Sequence, residues 1–251
     1  MIPILVCIHG WGGSKESFNL LREALKDTDV QILAPDLPGF GQEPDPVRPW
    51  TNDDYADWVE RWMQGQGLGQ GQEFQLLGHS HGGRIAIKIA WRQSTNKLAN
   101  HQTSKPVNHL YLCAAAGIPH PPTIKETFGL IGAKIGGAVL AIPGLRWIQP
   151  IARKILYKLL GVHDYERASP IMKETLKLVT DDDLTPLLRS IDIPTDIFWG
   201  TADTMTPYSD ALVMKQEIPG STLHTFDGER HRIHKDKAKE IAAVIRGRIQ
   251  S

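Results

Sequence analysis

Short apolar runs alternate with stretches of helical periodicity along most of this 251-residue chain. Six of the runs have the length and composition of buried strands, and most of them end at a glycine or a proline. These runs cover residues 3–8, 30–34, 73–78, 107–114, 194–199 and 221–226. The alternation predicts a parallel sheet that is covered by helices on both faces and joined by right-handed crossovers.

The alternation stops between Gly117 and Ser190. In this interval the pattern is helical throughout, with prolines between the helical stretches. An all-helical insertion after the fourth strand predicts a lid over the carboxyl edge of the sheet, where open α/β sheets bind their ligands. We therefore divide the chain into a core domain, residues 1–117 and 191–251, and a helical cap, residues 118–190.

A serine within a glycine-rich turn is the strongest chemical signal in the sequence. Residues 78–82 read Gly-His-Ser-His-Gly and lie between the third predicted strand and a helical stretch. A tight strand-to-helix turn needs small residues two positions before and after its centre, because larger side chains would collide with the adjacent backbone. The pattern therefore predicts that such a turn presents Ser80 as a nucleophile.

Three further polar segments follow the ends of other predicted strands. Residues 9–13, His-Gly-Trp-Gly-Gly, follow the first strand, and a glycine-rich turn at this point can aim a backbone N–H at an oxyanion. Asp203 follows the fifth strand, and His231 follows the sixth. Because the carboxyl ends of parallel strands meet at one edge of a sheet, we expect the serine, the aspartate and the histidine to lie together there.

With these motifs in this order, the chain resembles the α/β-hydrolase superfamily, and within it the lidded carboxylesterases and the pimeloyl-carrier-protein methyl ester esterases. The resemblance extends from residues 9–12 through residues 36–41, Asp-Leu-Pro-Gly-Phe-Gly, and the serine turn to His231. The full sheet of the superfamily begins with an antiparallel hairpin. Here the first predicted strand begins at residue 3, so we expect a doubly wound sheet of about six strands, all parallel, without that hairpin.

The resemblance implies Ser80 as the nucleophile, His231 as the general base and Asp203 as the carboxylate that orients the imidazole. A serine hydroxyl is a poor nucleophile at neutral pH and needs such a base, held in one tautomer, within hydrogen-bond reach. The backbone N–H groups of Trp11 and His81 would form the oxyanion hole. The expected reaction is cleavage of a small-molecule carboxylic ester with an apolar acyl group through an acyl-Ser80 intermediate, without a metal or an organic cofactor.

Other residues compete for these roles. His234 follows His231 by three positions, and the order Gly-x-x-His-x-x-His in relatives favours His231 as the base. Asp196, inside the fifth predicted strand, and Asp227, shortly before His231, compete with Asp203 for the acidic position.

Three residues near the motifs have structural interpretations. We expect His9 and His79 to stabilise their loops by hydrogen bonds rather than to carry protons. Glu43 stands where many relatives have a serine, two residues after the glycine turn, and we expect it to be solvated.

The triad pattern leaves the substrate open. A thioesterase, a carbon–carbon hydrolase, a perhydrolase, a lipase or an acyltransferase would carry the same three residues, because substrate choice depends on the lid and the shape of the pocket. The alternative from another class is a non-catalytic ligand-binding protein with the same fold.

Composition limits the classes of binding partner and the cellular compartments that we expect for this protein. Lysine plus arginine equals aspartate plus glutamate at 28 each, which argues against a nucleic-acid-binding protein. Cys7 and Cys113 both lie in predicted strands, which predicts unreactive thiols in a reducing compartment. Because the amino terminus also lacks the pattern of a signal peptide, we expect a cytoplasmic protein.

The predicted cap carries a charge imbalance. Between Lys125 and Lys158 there are six basic residues against one acid, Glu126. A solvated face is the default interpretation, and the alternative is an electropositive rim for an acidic carrier protein, a substrate carboxylate or a lipid surface. Residues 128–145 are largely apolar but are interrupted by glycines and a proline, which favours a helical hairpin over a membrane span.

Overall fold

Six parallel strands form the centre of the computed structural model, which describes residues 2–68, 72–95, 107–120 and 168–250. The strands are β1 (Ile4–Ile8), β2 (Gln31–Leu33), β3 (Phe74–His79), β4 (Val107–Cys113), β5 (Thr195–Gly200) and β6 (Thr222–Phe226). Their order across the sheet is β2-β1-β3-β4-β5-β6, and every neighbouring pair runs parallel. The predicted strands are therefore confirmed, each to within about one residue at either end.

The described helices are α1 (Asn19–Ala24, after a 3-10 turn at Lys15–Phe18), α2 (Asn52–Gly65), α3 (His81–Thr95), α4 (Pro170–Asp181), α5 (Thr185–Leu188), α6 (Tyr208–Glu217), α7 (Ile233–Asp236) and α8 (Ala238–Gln250). Helix α1 packs against α8, and α2 packs against α3. Helix α1 connects β1 to β2, and α2 connects β2 to β3, in opposite directions across the sheet. Right-handed crossovers therefore place the α1–α8 pair and the α2–α3 pair on opposite faces. The doubly wound architecture predicted from the alternation is confirmed.

Burial along the strands follows from this coverage. Strands β1, β3 and β5 are buried along their whole length, because helices cover the inner strands of a parallel sheet on both faces. The edge strands β2 and β6 are partly exposed. The continuous apolar runs in the sequence are therefore the inner strands. The segments with candidate chemistry follow the carboxyl ends of the inner strands β1, β3 and β5 and of the edge strand β6.

Side chains define where two of the helices begin. The Oγ1 atom of Thr51 accepts the Asp54 N–H (3.2 Å), and the Asp54 carboxylate accepts the Thr51 N–H (2.8 Å), which forms a capping box before α2. At the start of α4, the Ser169 hydroxyl oxygen accepts the Met172 N–H (3.2 Å), and Pro170 occupies the first turn, where its missing N–H costs nothing.

Two helices make up most of the described part of the predicted cap. These are α4 and α5, whereas residues 121–167, including the basic stretch between Lys125 and Lys158 and the apolar residues 128–145, lie outside the described residues. The division into a core and a cap therefore stays a prediction.

Hydrogen bonds attach α4 to the core. The backbone N–H of Trp50 donates to Thr175 Oγ1 (3.0 Å). The side-chain amide of Asn52 donates to the carbonyl oxygen of Val179 and to Asp182 Oδ2, both at 3.0 Å. These contacts hold α4 beside the first turn of α2, close to the loops at the carboxyl edge of the sheet.

Candidate active site

Ser80 lies on a tight turn between β3 and α3. Its φ angle is 53°, in the left-handed region that a residue with a side chain rarely adopts. A Cβ atom on Gly78 would lie 2.5 Å from the carbonyl oxygen of Gly82, and a Cβ atom on Gly82 would lie 2.1 Å from the carbonyl oxygen of Ile8. The turn thus brings β3, α3 and β1 into backbone contact, which is why both flanking positions are glycine.

Backbone hydrogen bonds hold the strained turn in place. The Ser80 N–H donates to the carbonyl oxygen of Cys113 (3.2 Å), at the end of β4. The Ser80 carbonyl oxygen accepts the N–H groups of Gly83 and Ala116, both at 2.9 Å. Ser80 therefore sits at the carboxyl edge of the sheet, held to the end of β4, to the first turn of α3 and to the loop after β4.

Asp203 and His231 form a hydrogen-bonded pair at the same edge. His231 Nδ1 lies 2.8 Å from Asp203 Oδ2, and both residues are buried. The other carboxylate oxygen of Asp203 accepts the backbone N–H groups of Met205 (2.8 Å) and Thr206 (3.1 Å). Burial alone would raise the pKa of Asp203, but the hydrogen bonds from His231 and Thr206 outweigh it and hold the pKa below its ordinary value.

This pairing determines how His231 can take part in proton transfer. An ionised Asp203 accepts a proton-bearing Nδ1, which leaves Nε2 of the neutral imidazole as the atom with a free lone pair. His231 therefore has the tautomer that a general base requires.

The two residues predicted for the oxyanion hole both lie beside Ser80. A Cβ atom on Gly10 would come within 3.0 Å of Ser80 Cβ, so the loop that carries Trp11 passes directly against the serine. His81 is the first residue of α3, and the first N–H groups of a helix have no partner within it. The rings of Trp11 and His81 meet edge to face with centroids 5.5 Å apart, which places the two residues side by side.

A cavity of about 350 Å³ adjoins this loop. It is lined by Trp11, Gly12, Gly39, Phe40, Asp45, Ala168, Ser169 and Met172, which come from the loops after β1 and β2 and from the start of α4. Trp11 and Phe40 form an edge-to-face pair with centroids 4.8 Å apart, and they give the cavity a largely apolar wall. Glu43, expected to be solvated, is exposed.

Residues 5–244 match the family model of the Alpha/beta hydrolase family. The chain belongs to that family. An uncharacterized protein of Mycobacterium tuberculosis is 28% identical over 270 residues, which cover 97% of this chain and 74% of that protein. A pimeloyl-[acyl-carrier protein] methyl ester esterase of Neisseria meningitidis is 25% identical over 245 residues, covering 95% of this chain and 90% of the esterase.

A solved structure agrees with the fold of this hydrolase. The esterase EaEST from Exiguobacterium antarcticum superposes with a TM-score of 0.71 at 23% identity, covering 99% of this chain and 92% of that one. At this identity the match shows the fold alone. The resemblance inferred from the motifs is confirmed at the level of the family, and the family supports hydrolysis as the class of reaction.

The structure gives the two competing aspartates other partners. Asp196 Oδ2 lies 2.8 Å from His109 Nε2, and Asp196 Oδ1 lies 2.7 Å from His224 Nε2. Asp227 accepts a hydrogen bond from the Thr201 hydroxyl at 3.0 Å. Asp203 is therefore the aspartate that the hydrolase pairs with His231.

The competing histidine, His234, lies in a different environment. Its ring is tilted over the ring of His79 with centroids 3.7 Å apart. Burial, together with the charges of Lys235, His231 and Arg232, lowers the pKa of His234 to about 3. The geometry favours His231 over His234 as the base.

His79 and His9 hold loops of the site by hydrogen bonds, as the sequence predicts. Burial lowers the pKa of His79 well below its ordinary value, and the neutral ring donates from Nε2 to the carbonyl oxygen of His231 at 3.1 Å. His9 Nε2 accepts the Leu37 N–H (3.0 Å), so the proton lies on Nδ1, which donates to the Gly10 carbonyl oxygen (2.8 Å).

Thr206 also contacts the Asp203–His231 pair, and it was not among the predicted site residues. Its hydroxyl donates to Asp203 Oδ2 at 2.8 Å, in addition to the bond from its backbone N–H. A signal was available, because a threonine three residues after an aspartate can close a local turn onto the carboxylate. The contact with His231 could not be found that way, since it depends on the loop after β6.

The two cysteines are buried, and the described residues contain neither a metal-binding cluster nor a helix that could span a membrane. Cys7 and Cys113 are free and buried, and burial raises the pKa of both thiols, which makes them poor nucleophiles. Within the described residues, no cluster of three or more histidine, cysteine or acidic side chains could hold a metal ion. Among those residues there is also no helix whose length and apolar character would let it cross a bilayer.

Proposed function

We propose that this hydrolase cleaves carboxylic esters through an acyl-Ser80 intermediate. The observation that carries the proposal is the buried Asp203–His231 pair, 2.8 Å from Oδ2 to Nδ1, at the same sheet edge as the strained serine turn. The esterase of Neisseria meningitidis is an additional point of support, because its match covers nearly the whole chain.

The proposed reaction begins with attack by Ser80. Its Oγ atom forms a bond to the carbonyl carbon of the ester while His231 Nε2 takes the hydroxyl proton. The carbonyl oxygen becomes an oxyanion that accepts hydrogen bonds from the Trp11 and His81 N–H groups. The intermediate then expels the alcohol, which leaves with the proton from His231, and the acyl group stays on Ser80.

The second half of the reaction repeats the same steps with water. His231 takes a proton from a water molecule as its oxygen attacks the acyl carbon, and then returns a proton to Ser80 Oγ as the carboxylic acid leaves. Asp203 remains ionised throughout and stabilises the imidazolium that forms in each half. The hydrogen bonds that keep its pKa low support this role.

We further propose an apolar group as the part of the substrate that enters the cavity beside Trp11. The aromatic pair of Trp11 and Phe40, together with Met172, supports this. A cytoplasmic location stays a prediction. An acidic carrier protein or a lipid surface as partner also stays a prediction, because the basic residues on which it depends lie between positions 121 and 167, outside the described residues.

The test is hydrolysis of p-nitrophenyl esters from acetate to palmitate, measured with the wild-type protein, Ser80→Ala and a control variant, Ser94→Ala. Ser94 lies near the end of α3, where its hydroxyl donates to the Ala90 carbonyl oxygen. We expect the wild type and the control to cleave at least one chain length, and Ser80→Ala to lose on the order of 10³-fold or more in turnover.

Other outcomes would redirect the proposal. A folded protein that cleaves matched thioesters or carbon–carbon substrates, but no ester, would contradict ester hydrolysis and keep Ser80 as the nucleophile. Ligand binding that Ser80→Ala leaves unchanged, in the absence of any turnover, would identify a binding protein. Activity that rises only when the substrate aggregates would identify a lipase.

A further inference from the structure

The hydroxyl of Thr206 contacts three loops of the site at once. Its Oγ1 atom lies 2.8 Å from Asp203 Oδ2, 3.2 Å from His231 Nδ1 and 3.2 Å from the carbonyl oxygen of Ala114. These atoms belong to the loops after β5, β6 and β4, respectively. Thr206 is buried, so water does not compete for these contacts.

The chemistry of a hydroxyl determines what these contacts can do. A threonine has a single proton to donate, and the shorter distance assigns it to Asp203 Oδ2. That oxygen then holds two donors, the Thr206 hydroxyl and His231 Nδ1–H, while Oδ1 holds the two backbone N–H groups. The carboxylate cannot rotate without losing several hydrogen bonds, so the imidazole that it orients is fixed as well.

The third contact, an oxygen–oxygen contact with no proton between the atoms, places Thr206 beside the loop that holds the nucleophile. Ala114 has a φ angle of 44°, which marks a sharp turn after β4, and the same loop donates the Ala116 N–H to the Ser80 carbonyl oxygen at 2.9 Å. Thr206 therefore lies between the acid, the base and the loop that holds the serine. Its own position is secured separately, because the indole Nε1–H of Trp199 donates to the Thr206 carbonyl oxygen (2.9 Å).

We infer that Thr206 is a positioning residue of this hydrolase, whose hydroxyl holds Asp203 and His231 in the productive arrangement relative to Ser80. The inference rests on the proposed function. A threonine that served packing alone would act through its methyl group, whereas a positioning residue acts through its hydroxyl.

The chain supplies matched variants that separate these roles. Thr206→Val keeps the shape of the side chain and removes the hydroxyl, while Thr206→Ser keeps the hydroxyl and removes the methyl group. Thr206→Ala and Thr206→Ser lack the same methyl group and differ only in the hydroxyl. Thr195→Val is the control, because Thr195 is equally buried, lies at the other end of β5 and donates its hydroxyl to the Ile193 carbonyl oxygen at 2.8 Å.

The experiment measures the rate at which a fluorophosphonate probe modifies Ser80. The serine oxygen forms a bond to phosphorus, fluoride leaves, and the hydroxyl proton passes to His231, so the rate reports the triad without depending on the natural substrate. We expect Thr206→Val and Thr206→Ala to react about 10-fold to 100-fold more slowly than the wild type. Thr206→Ser and Thr195→Val should keep rates within about threefold of the wild type.

The possible failures are distinguishable. Wild-type rates in both Thr206→Val and Thr206→Ala would overturn the positioning role, and an equal loss in Thr206→Ser and Thr206→Ala would assign the effect to the methyl group. If Thr206→Val unfolds, as thermal unfolding would show, the comparison of serine with alanine decides alone. Absence of any label on Ser80 of the wild-type protein would instead contradict the proposed function.

Discussion

Two aspartates, one near the start of β5 and one after its end, accept hydrogen bonds from histidines, but their surroundings differ. Asp196 lies within the strand, where it accepts hydrogen bonds from His109, His224 and the guanidinium group of Arg248. Asp203 lies beyond the carboxyl end of the strand, where its donors besides His231 are uncharged backbone and hydroxyl groups.

Because both aspartates accept hydrogen bonds from histidines, such a bond alone cannot identify the pair that we propose for catalysis. At Asp196 both histidines are bound through Nε2, and a permanent cation neutralises the carboxylate. At Asp203 the histidine is bound through Nδ1, so Nε2 stays available for a proton. The loop places the pair at the carboxyl edge of the sheet, where open α/β sheets generally bind ligands. The first cluster ties β4, β6 and α8 to β5, and we assign it to stability.

Replacement of a histidine should change kcat most at Asp203 and little at Asp196. His231→Ala should lower kcat for p-nitrophenyl ester hydrolysis by on the order of 10³-fold or more, because no base then takes the serine proton. His109→Ala should leave kcat within about threefold. Steady-state kinetics, with circular dichroism as a check of folding, measure both. Near-normal turnover in His231→Ala would transfer the base role to His234.

Substitution of Asp203 should likewise lower kcat more than substitution of Asp196. Asp203→Asn should lower kcat by on the order of 10² to 10⁴, because an amide no longer holds His231 in the tautomer that leaves Nε2 unprotonated. Asp196→Asn should retain most of its turnover under conditions where it is folded. A larger loss of kcat in Asp196→Asn than in Asp203→Asn would contradict the assignment of the two clusters.

The free energy of unfolding should be more sensitive to substitution of Asp196 than of Asp203, the reverse of the order expected for kcat. Asp196→Asn should lower the free energy of unfolding by roughly 2–3 kcal/mol, because it weakens the charge-assisted hydrogen bonds that a buried carboxylate accepts. Asp203→Asn should cost less, since the turn formed with Met205 and Thr206 can keep an amide oxygen as acceptor. Urea denaturation at neutral pH measures both values. Equal losses would contradict the assignment of the Asp196 cluster to stability.

The smallest expected effect is a difference in acid sensitivity. Burial alone would raise the pKa of Asp196, but the hydrogen bonds from His109, His224 and Arg248 hold it well below the ordinary value of 3.8. A depressed pKa in the folded state stabilises the protein above about pH 4, and this contribution is lost as the pH falls further. The free energy of unfolding of the wild type should therefore fall more steeply below pH 4 than that of Asp196→Asn.

Much of the fold follows from local features of the sequence. The inner strands are continuous apolar runs because both faces of the sheet are covered, and that pattern needs no knowledge of the tertiary structure. The glycines around Ser80 are equally local, since their spacing reflects backbone contacts made within and beside the turn.

Contacts between distant loops could not be predicted in this way. The hydroxyl of Thr206 meets His231 and Ala114 only because parallel strands bring three loops to one edge. The Asp196 cluster likewise combines residues from β4, β6 and α8, which lie far apart along the chain. Spacing along the sequence indicates which residues can carry chemistry, and the fold decides which of them meet.

If Ser80 carries the acyl group, an irreversible analogue of the tetrahedral intermediate should modify this residue and stop turnover. We would treat the wild type and Ser80→Ala with a p-nitrophenyl alkylphosphonate, follow release of p-nitrophenol, and locate the phosphonyl group by peptide mass spectrometry. We expect a single phosphonyl group on Ser80, loss of ester hydrolysis in proportion to labelling, and an unlabelled Ser80→Ala variant. A phosphonyl group on another residue, or ester hydrolysis that persists after Ser80 is fully labelled, would contradict the proposed role of Ser80.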